Sequence, residues 1–274
     1  MTLLATGDRL LNRYDIVSVE HISGLSTLYL ATDMQAQAER KVALKEALLD
    51  DHVDISEEEA RALFLSRAKR LLEIKHPHII QTFDYFLQDD RSYLVTEFIP
   101  GSDLETLLLS TEGPLAPDTV LDWGITIAEA IHYLHTCQPD PIIYRDLKPS
   151  NVMLGEDNAI RLIDLGIADI FPQGMTLDPL GTDGYAAPEQ YNGFVTPTID
   201  VYALGATLHH LLTGCDPRLE KPFSFAMRPV KQYNPQVTAD LVEVIDKALQ
   251  FDPEQRYANA LEMQEALSML KGNT

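Results

Sequence analysis

Residues 27–32 and 41–45 alternate apolar with polar, the period-two pattern of β-strands, and residues 14–19 are strand-like in composition, with Ser23 and Gly24 among the turn residues at 21–26. Ser56 followed by Glu57, Glu58 and Glu59 reads as an N-cap and an acidic first turn. Leu63, Phe64, Leu71 and Leu72 then recur at helical spacing. Residues 83–86 and 93–98 form an antiparallel pair around Gln88-Asp89-Asp90, which Ile99-Pro100-Gly101 terminates. Beyond Gly101 the period changes to that of helices. Asp118 and Thr119 cap a helix through His135 with Leu121, Ile125, Ala128, Ile131 and Leu134 as its apolar stripe. A second helix runs from Thr198 to Thr213, and Leu261, Ala266, Leu267 and Leu270 mark a last one.

One segment breaks both periods. Ile142-Ile143-Tyr144-Arg145-Asp146-Leu147-Lys148-Pro149-Ser150-Asn151 places polar groups between apolar flanks, and Pro149 keeps Lys148 out of helical geometry. Two short strands follow, 152–154 and 159–164, joined by Gly155-Glu156-Asp157-Asn158. A hairpin there returns Asp164 to Asn151. Asp146, Asn151 and Asp164 then converge with the ammonium of Lys148, and hard oxygen ligands beside a lysine suit Mg²⁺ and phosphate.

Length and composition narrow the class. A chain of 274 residues with 45% hydrophobic and 23% charged residues suits a soluble globular protein. Cys137 and Cys215 lie far apart and outside any metal spacing, which favours a reducing compartment. No apolar run is long enough for a membrane segment, so the expected location is cytoplasmic. Forty-two acidic against 21 basic residues give a net charge of −21, which argues against a nucleic-acid partner and is compatible with attraction to basic peptides. His132 and His135 stand three apart on one helix; without a third ligand in view they read as structural histidines.

Tyr144-Arg145-Asp146-Leu147-Lys148-Pro149-Ser150-Asn151 resembles the catalytic loop of eukaryotic-like serine/threonine protein kinases, and Asp164-Leu165-Gly166 their metal-binding triplet. The resemblance implies an α+β fold of two lobes: a small β-rich N-lobe over 11–98 and a larger helical C-lobe over 99–271, with ATP in the cleft between them. It implies that Asp146 accepts the proton of a protein hydroxyl, Lys148 steadies the transferred phosphoryl group, and Asn151 and Asp164 hold Mg²⁺. By the same likeness Lys41-Val42-Ala43-Leu44-Lys45 sets Lys45 on the phosphates and Ala43 against the adenine. Gly24 and Leu28 belong to the phosphate flap. Thr96, Glu97, Ile99 and Leu154 surround the base, and Asp103 reaches the ribose. Gly181-Thr182 to Ala187-Pro188-Glu189 resembles the close of an activation segment, with Thr182 against Asp146 and Lys148, Arg145 as a phosphate receiver and Thr176 as an acceptor. Asp200 would support the catalytic loop from beneath, and Arg256 would pair with Glu189.

Two departures concern the N-lobe. His21, Ser23 and Ser26 occupy positions where the family has glycines, and Arg67 stands where it has the glutamate that pairs with the strand lysine, so that Lys45 would turn to Glu59 or Asp164 or Arg67 would point outward. Two readings stay open: a serine/threonine protein kinase, weak or specially regulated, and a pseudokinase that binds partners with or without nucleotide. Ala187-Pro188-Glu189 counts against a kinase of small metabolites. Substrate and oligomeric state are not encoded in any motif here.

Overall fold

The computed structural model describes residues 3–23, 26–36, 38–48, 56–165, 181–219 and 224–272. The chain divides into two compact units, 1–100 and 101–274. The expected boundary lay after Phe98, two residues earlier.

The first unit is an antiparallel six-stranded sheet with one long helix. Its strands are β1 (Arg9–Leu10), β2 (Tyr14–Ile22), β3 (Ser26–Asp33), β4 (Arg40–Leu48), β5 (Thr82–Gln88) and β6 (Arg91–Glu97), in the order β1-β2-β3-β4-β6-β5. One face buries Tyr14, Ile16, Tyr29, Val42, Leu44, Phe86, Tyr93 and Val95, and Phe86 stacks on Tyr93 with ring centroids 4.7 Å apart. Strict alternation builds this core, since each of these residues is flanked by one that points the other way. β2 continues through Ile22 instead of ending at Val19, because two register shifts against β3, between Ile16 and Ser18 and between Val19 and His21, carry the ladder past the irregular polar pattern. The turn expected over 21–26 is correspondingly short. Ser23 and Ser26 close it: Ser26 N–H donates to Ser23 Oγ at 3.0 Å and Ser23 N–H to Ser26 O at 2.8 Å. Gly24 lies outside the described residues.

The opposite end of this hairpin is tied by charge. Asp33, with a fully buried side chain, accepts from Arg13 Nε at 2.8 Å and Nη2 at 2.9 Å and from Arg40 Nη2 at 2.8 Å. Arg13 also reaches Asp84 of β5, which accepts from Tyr14 Oη at 2.7 Å. Hydrogen bonds from Arg13 hold the Asp33 carboxyl far below the ordinary carboxylate range.

The helix α1 (Glu57–Glu73) begins as the sequence predicts. Ser56 caps it and Glu59 returns a bond to Ser56 N–H at 2.9 Å, a complete capping box. Glu59 is thus engaged at the helix start. Ala60, Phe64, Arg67, Ala68 and Leu71 form the buried stripe of α1.

The second unit is mainly helical. It contains β7 (Gly101–Asp103), α2 (Leu104–Ser110), α3 (Pro117–His135), β8 (Val152–Gly155), β9 (Ile160–Leu162), α4 (Pro197–Thr213), α5 (Val230–Tyr233), α6 (Ala239–Ala248) and α7 (Ala260–Lys271). α3 starts at Pro117, with no side-chain cap, so Asp118 belongs to its first turn and is not the cap. A proline at the first helical position sacrifices only an N–H that has no helical partner. α4 is buried nearly all round, from Ile199 to Thr213, and α3 and α7 pack beside it. β7, β8 and β9 form a small antiparallel sheet in that order. Among the described residues no helix is long and apolar enough to cross a membrane.

Candidate active site

The segment from Tyr144 to Asn151 follows α3 and ends in a single 3-10 turn, Pro149–Asn151, that leads directly into β8. Its backbone is strained at Arg145, φ 68°, as is the chain beyond β9 at Asp164, φ 56°, a region that costs a non-glycine residue about 1–3 kcal/mol. Buried anchors hold it. Asp200 of α4 accepts from Tyr144 N–H and Arg145 N–H, each at 2.8 Å, and lies 2.8 Å from His135 Nε2. Gln190 donates to Arg145 O at 3.0 Å. His135 therefore acts through Asp200, as a structural histidine would.

Tyr144, where the resembled family usually has histidine, is buried and donates through its hydroxyl to Ile163 O and, at 3.3 Å, to Asn151 O. Ile163 N–H donates back to Asn151 O at 3.0 Å. The β8–β9 ladder, with Val152 opposite Leu162, sets Asp164 one residue beyond this link. Burial, and then the charges of Asp164, Asp146 and Asp200, push the Tyr144 phenol well above its ordinary value, so it stays a neutral donor.

Asp146 collects three donors. Thr182 Oγ1 donates to its Oδ1 at 2.6 Å, while Lys148 Nζ at 2.7 Å and Asn151 Nδ2 at 3.0 Å reach its Oδ2. Lys148 Nζ also donates to Thr182 Oγ1 at 2.7 Å, and Asn151 Nδ2 to Asp146 O at 2.7 Å. The amide nitrogen of Asn151 is thus turned to Asp146, and its oxygen is the atom left for a cation. The expected contacts of Thr182 with Asp146 and Lys148 and of Asp200 with the loop are both present, as is a bidentate pair between Arg256 and Glu189. Leu154 lies in β8 opposite Ser102. Asp103 caps α2: Oδ1 accepts from Thr106 N–H at 2.9 Å and Oδ2 from Thr106 Oγ1 at 2.7 Å, a local use that its expected ribose contact would have to share. Gly166 and Thr176 lie outside the described residues.

In the first unit, strand register puts the expected nucleotide residues on one face. Leu28 is opposite Lys45, Lys45 opposite Leu94, Leu30 opposite Ala43 and Ala43 opposite Thr96. Leu30 and Leu94 join this face by pairing alone; the signal for them was the alternation of their strands. Glu97 ends β6, and Ile99 is buried two residues later. The same face receives α1, since Tyr85, opposite Leu94, meets Phe64 edge-on at 6.2 Å. Arg67 is 4% exposed on that stripe of α1. An outward-pointing Arg67 is thereby ruled out: its position, one turn from Phe64, commits it to the sheet side.

Comparison with known proteins agrees with this architecture. The family profile described as "Protein kinase domain" matches residues 25–269. The serine/threonine-protein kinase PknB of Mycobacterium leprae is 31% identical over 278 residues, covering 95% of this chain and 43% of that protein. PrkC of Bacillus subtilis is 33% identical over 270 residues, covering 94% and 40%. The chain spans about two fifths of the length of these relatives. Among solved structures, the PknI kinase domain of Mycobacterium tuberculosis superposes with a TM-score of 0.76 at 26% identity, covering 97% of this chain and 99% of that one. Sheet, helical unit, catalytic-loop geometry and sequence profile agree, and the chain belongs to the protein kinase domain family.

Proposed function

We propose that this chain is a serine/threonine protein kinase that uses ATP with Mg²⁺. The observation that carries the reading is the constellation around Asp146: one carboxylate holding an aliphatic hydroxyl at 2.6 Å, with an ammonium at 2.7 Å and an amide at 3.0 Å. Asp146 would orient the hydroxyl of an incoming serine or threonine and accept its proton as the oxygen bonds to the terminal phosphorus and the bond from that phosphorus to the departing ADP breaks. Lys148 offers its positive charge beside that oxygen, where negative charge accumulates on the transferred group. Asn151 Oδ1 and the Asp164 carboxylate are the hard oxygen donors that would hold the metal, and their chemistry fits Mg²⁺. Bound Mg·ATP supplies the electrophilic phosphorus and neutralises the phosphate charge.

Ala43, Leu28 and Thr96, with Lys45 on the same sheet face, would receive the nucleotide, joined by Gly24, the backbones of Glu97 and Ile99, Leu154 and Asp103. An ATP-consuming reaction and a chain with only two cysteines, Cys137 and Cys215, suit the cytoplasm. The test is incubation with Mg·ATP labelled at the terminal phosphate, scored for label on the chain itself and on basic test peptides. Transfer that disappears in Asp146→Asn supports the enzyme. A nucleotide-induced thermal shift without any transfer would replace it by a nucleotide-binding interaction domain.

A further inference from the structure

The first unit sorts its charges by sheet face. On the face of Tyr14, Val42 and Leu44 three carboxylates are each held by an arginine: Asp33 by Arg13 and Arg40, Asp84 by Arg13, and Glu46 by Arg91. The face of Ala43 and Lys45 is built differently. Lys45 stands between Leu28 of β3 and Leu94 of β6, and Leu94 is opposite Tyr85, which meets Phe64 of α1 edge-on. Arg67, one turn after Phe64 and 4% exposed, brings a second cation to this side. The positions three and four residues from Arg67, those a side chain reaches along a helix, are Leu63, Phe64, Arg70 and Leu71, and Glu59 is engaged at Ser56. Two positive charges thus approach one sheet face on which the neighbouring strand positions are apolar.

The turn between β2 and β3 supplies the second observation. Ser26 N–H donates to Ser23 Oγ at 3.0 Å and Ser23 N–H to Ser26 O at 2.8 Å, while the two hydroxyls lie 3.0 Å apart. A flap that takes phosphate through backbone N–H groups needs them pointing at the ligand. Here two of those amides are used inside the turn, so side-chain cations must do more of the work.

Resting on the kinase reading above, we propose that Arg67 is a phosphate-binding residue that, together with Lys45, takes the polyphosphate of ATP where the flap amides do not. A guanidinium presents a planar fork that matches two phosphate oxygens, and such charge-assisted bonds are stronger than those of a neutral amide. Like charges on one face repel until an anion lies between them, so the phosphates of the nucleotide complete this face. Arginine at 67 is then a changed ligand set and not a missing one. A glutamate there would neutralise Lys45 and repel the phosphates.

The test is isothermal titration calorimetry with Mg·ATP and with adenosine, on the wild type, Arg67→Lys, Arg67→Gln and Arg67→Glu, with thermal denaturation of each variant as the check of folding. Adenosine carries base and ribose without phosphate, so a packing defect moves both ligands together. Arg67→Gln should weaken Mg·ATP about 10- to 100-fold while adenosine affinity stays within about twofold. Arg67→Glu should weaken Mg·ATP further, and Arg67→Lys, which keeps the charge but loses the fork, less. Equal Mg·ATP affinity in the wild type, Arg67→Lys and Arg67→Gln overturns the proposal. So does tighter Mg·ATP binding by Arg67→Glu, the result expected if Lys45 merely lacked a glutamate. Should the glutamine and glutamate variants fail to fold, Arg67→Lys decides alone: Mg·ATP affinity equal to the wild type, or a parallel loss of both ligands, overturns the proposal. Phosphate transfer to a general protein acceptor is scored separately. Transfer with Mg·ATP binding indifferent to residue 67 ends the assignment and leaves the kinase, whereas Arg67-dependent binding without transfer supports the assignment and ends the kinase. A wild type that binds neither ligand ends both.

Discussion

Arg256 grips both carboxylate oxygens of Glu189, Nη1 to Oε1 at 2.6 Å and Nη2 to Oε2 at 2.9 Å, joining the start of the last helical segment to the Ala187-Pro188-Glu189 turn. Its guanidinium also lies 4.9 Å from the ring centroid of Tyr202. Arg256→Ala leaves one partly buried carboxylate and three carbonyls without their donor. Such a loss costs about 3–5 kcal/mol. Urea denaturation should show it as a lower midpoint.

Asp200→Asn keeps the size of the side chain but replaces one acceptor oxygen by an NH₂ group that faces N–H donors. Of the three donors from Tyr144, Arg145 and His135, at least one loses its partner. The expected cost is about 2–4 kcal/mol in stability. Release of the strained Arg145 peptide should also displace Asp146, and phosphate transfer should fall about a hundredfold. Thermal denaturation and a transfer assay on the same preparation check both.

Asp146→Asn removes the proposed proton acceptor while leaving an oxygen for Thr182. Transfer should drop by about 10²–10⁴. The nucleotide-induced thermal shift should be unchanged, because none of the sheet-face residues Leu28, Ala43, Lys45 and Thr96 is touched.

His209 in α4 supplies a pH signature. Burial pushes its imidazole down to about 4, and Nε2 lies 2.8 Å from Arg228 O. Between pH 6.5 and 4 the unfolded chain binds a proton that the folded chain does not, so this contribution is complete above pH 6.5 and is lost as pH falls through 4. Its size is about 3 kcal/mol. His209→Gln, which retains a donor for Arg228 O, should flatten that part of the stability profile measured by denaturant titration at pH 7, 5.5 and 4.5.

The fold and the catalytic loop were legible because they depend on local pattern. Alternation gave the strand faces on which Ala43 and Lys45 sit, and Ser56 with Glu59 marked the start of α1. The loop residues Asp146, Lys148 and Asn151 are close in sequence, and one short hairpin supplies Asp164. Contacts made by tertiary packing were harder to see. Leu94 joins Lys45 only through register, Gln190 reaches Arg145 O across 45 residues, and Arg218 meets Glu105 across 113. The extent of β2 was misjudged for a related reason. Its last residues, Glu20, His21 and Ile22, have no buried face to impose alternation, and register shifts rather than apolar pattern decide where pairing stops.

The arginine network around Asp33 makes one end of the β2–β3 hairpin stiffer than the other. Its root is clamped by Arg13 and Arg40, while burial along β2 fades from Tyr14 to Ile22 and Ser23 and Ser26 bond to each other at the far end. Amide deuterium uptake should therefore climb steadily from root to tip. Loosening the root with Arg13→Ala should raise that uptake along β2 more than along β3, because β4 holds β3 over its whole length from Ser26 opposite Ala47 to Asp33 opposite Arg40.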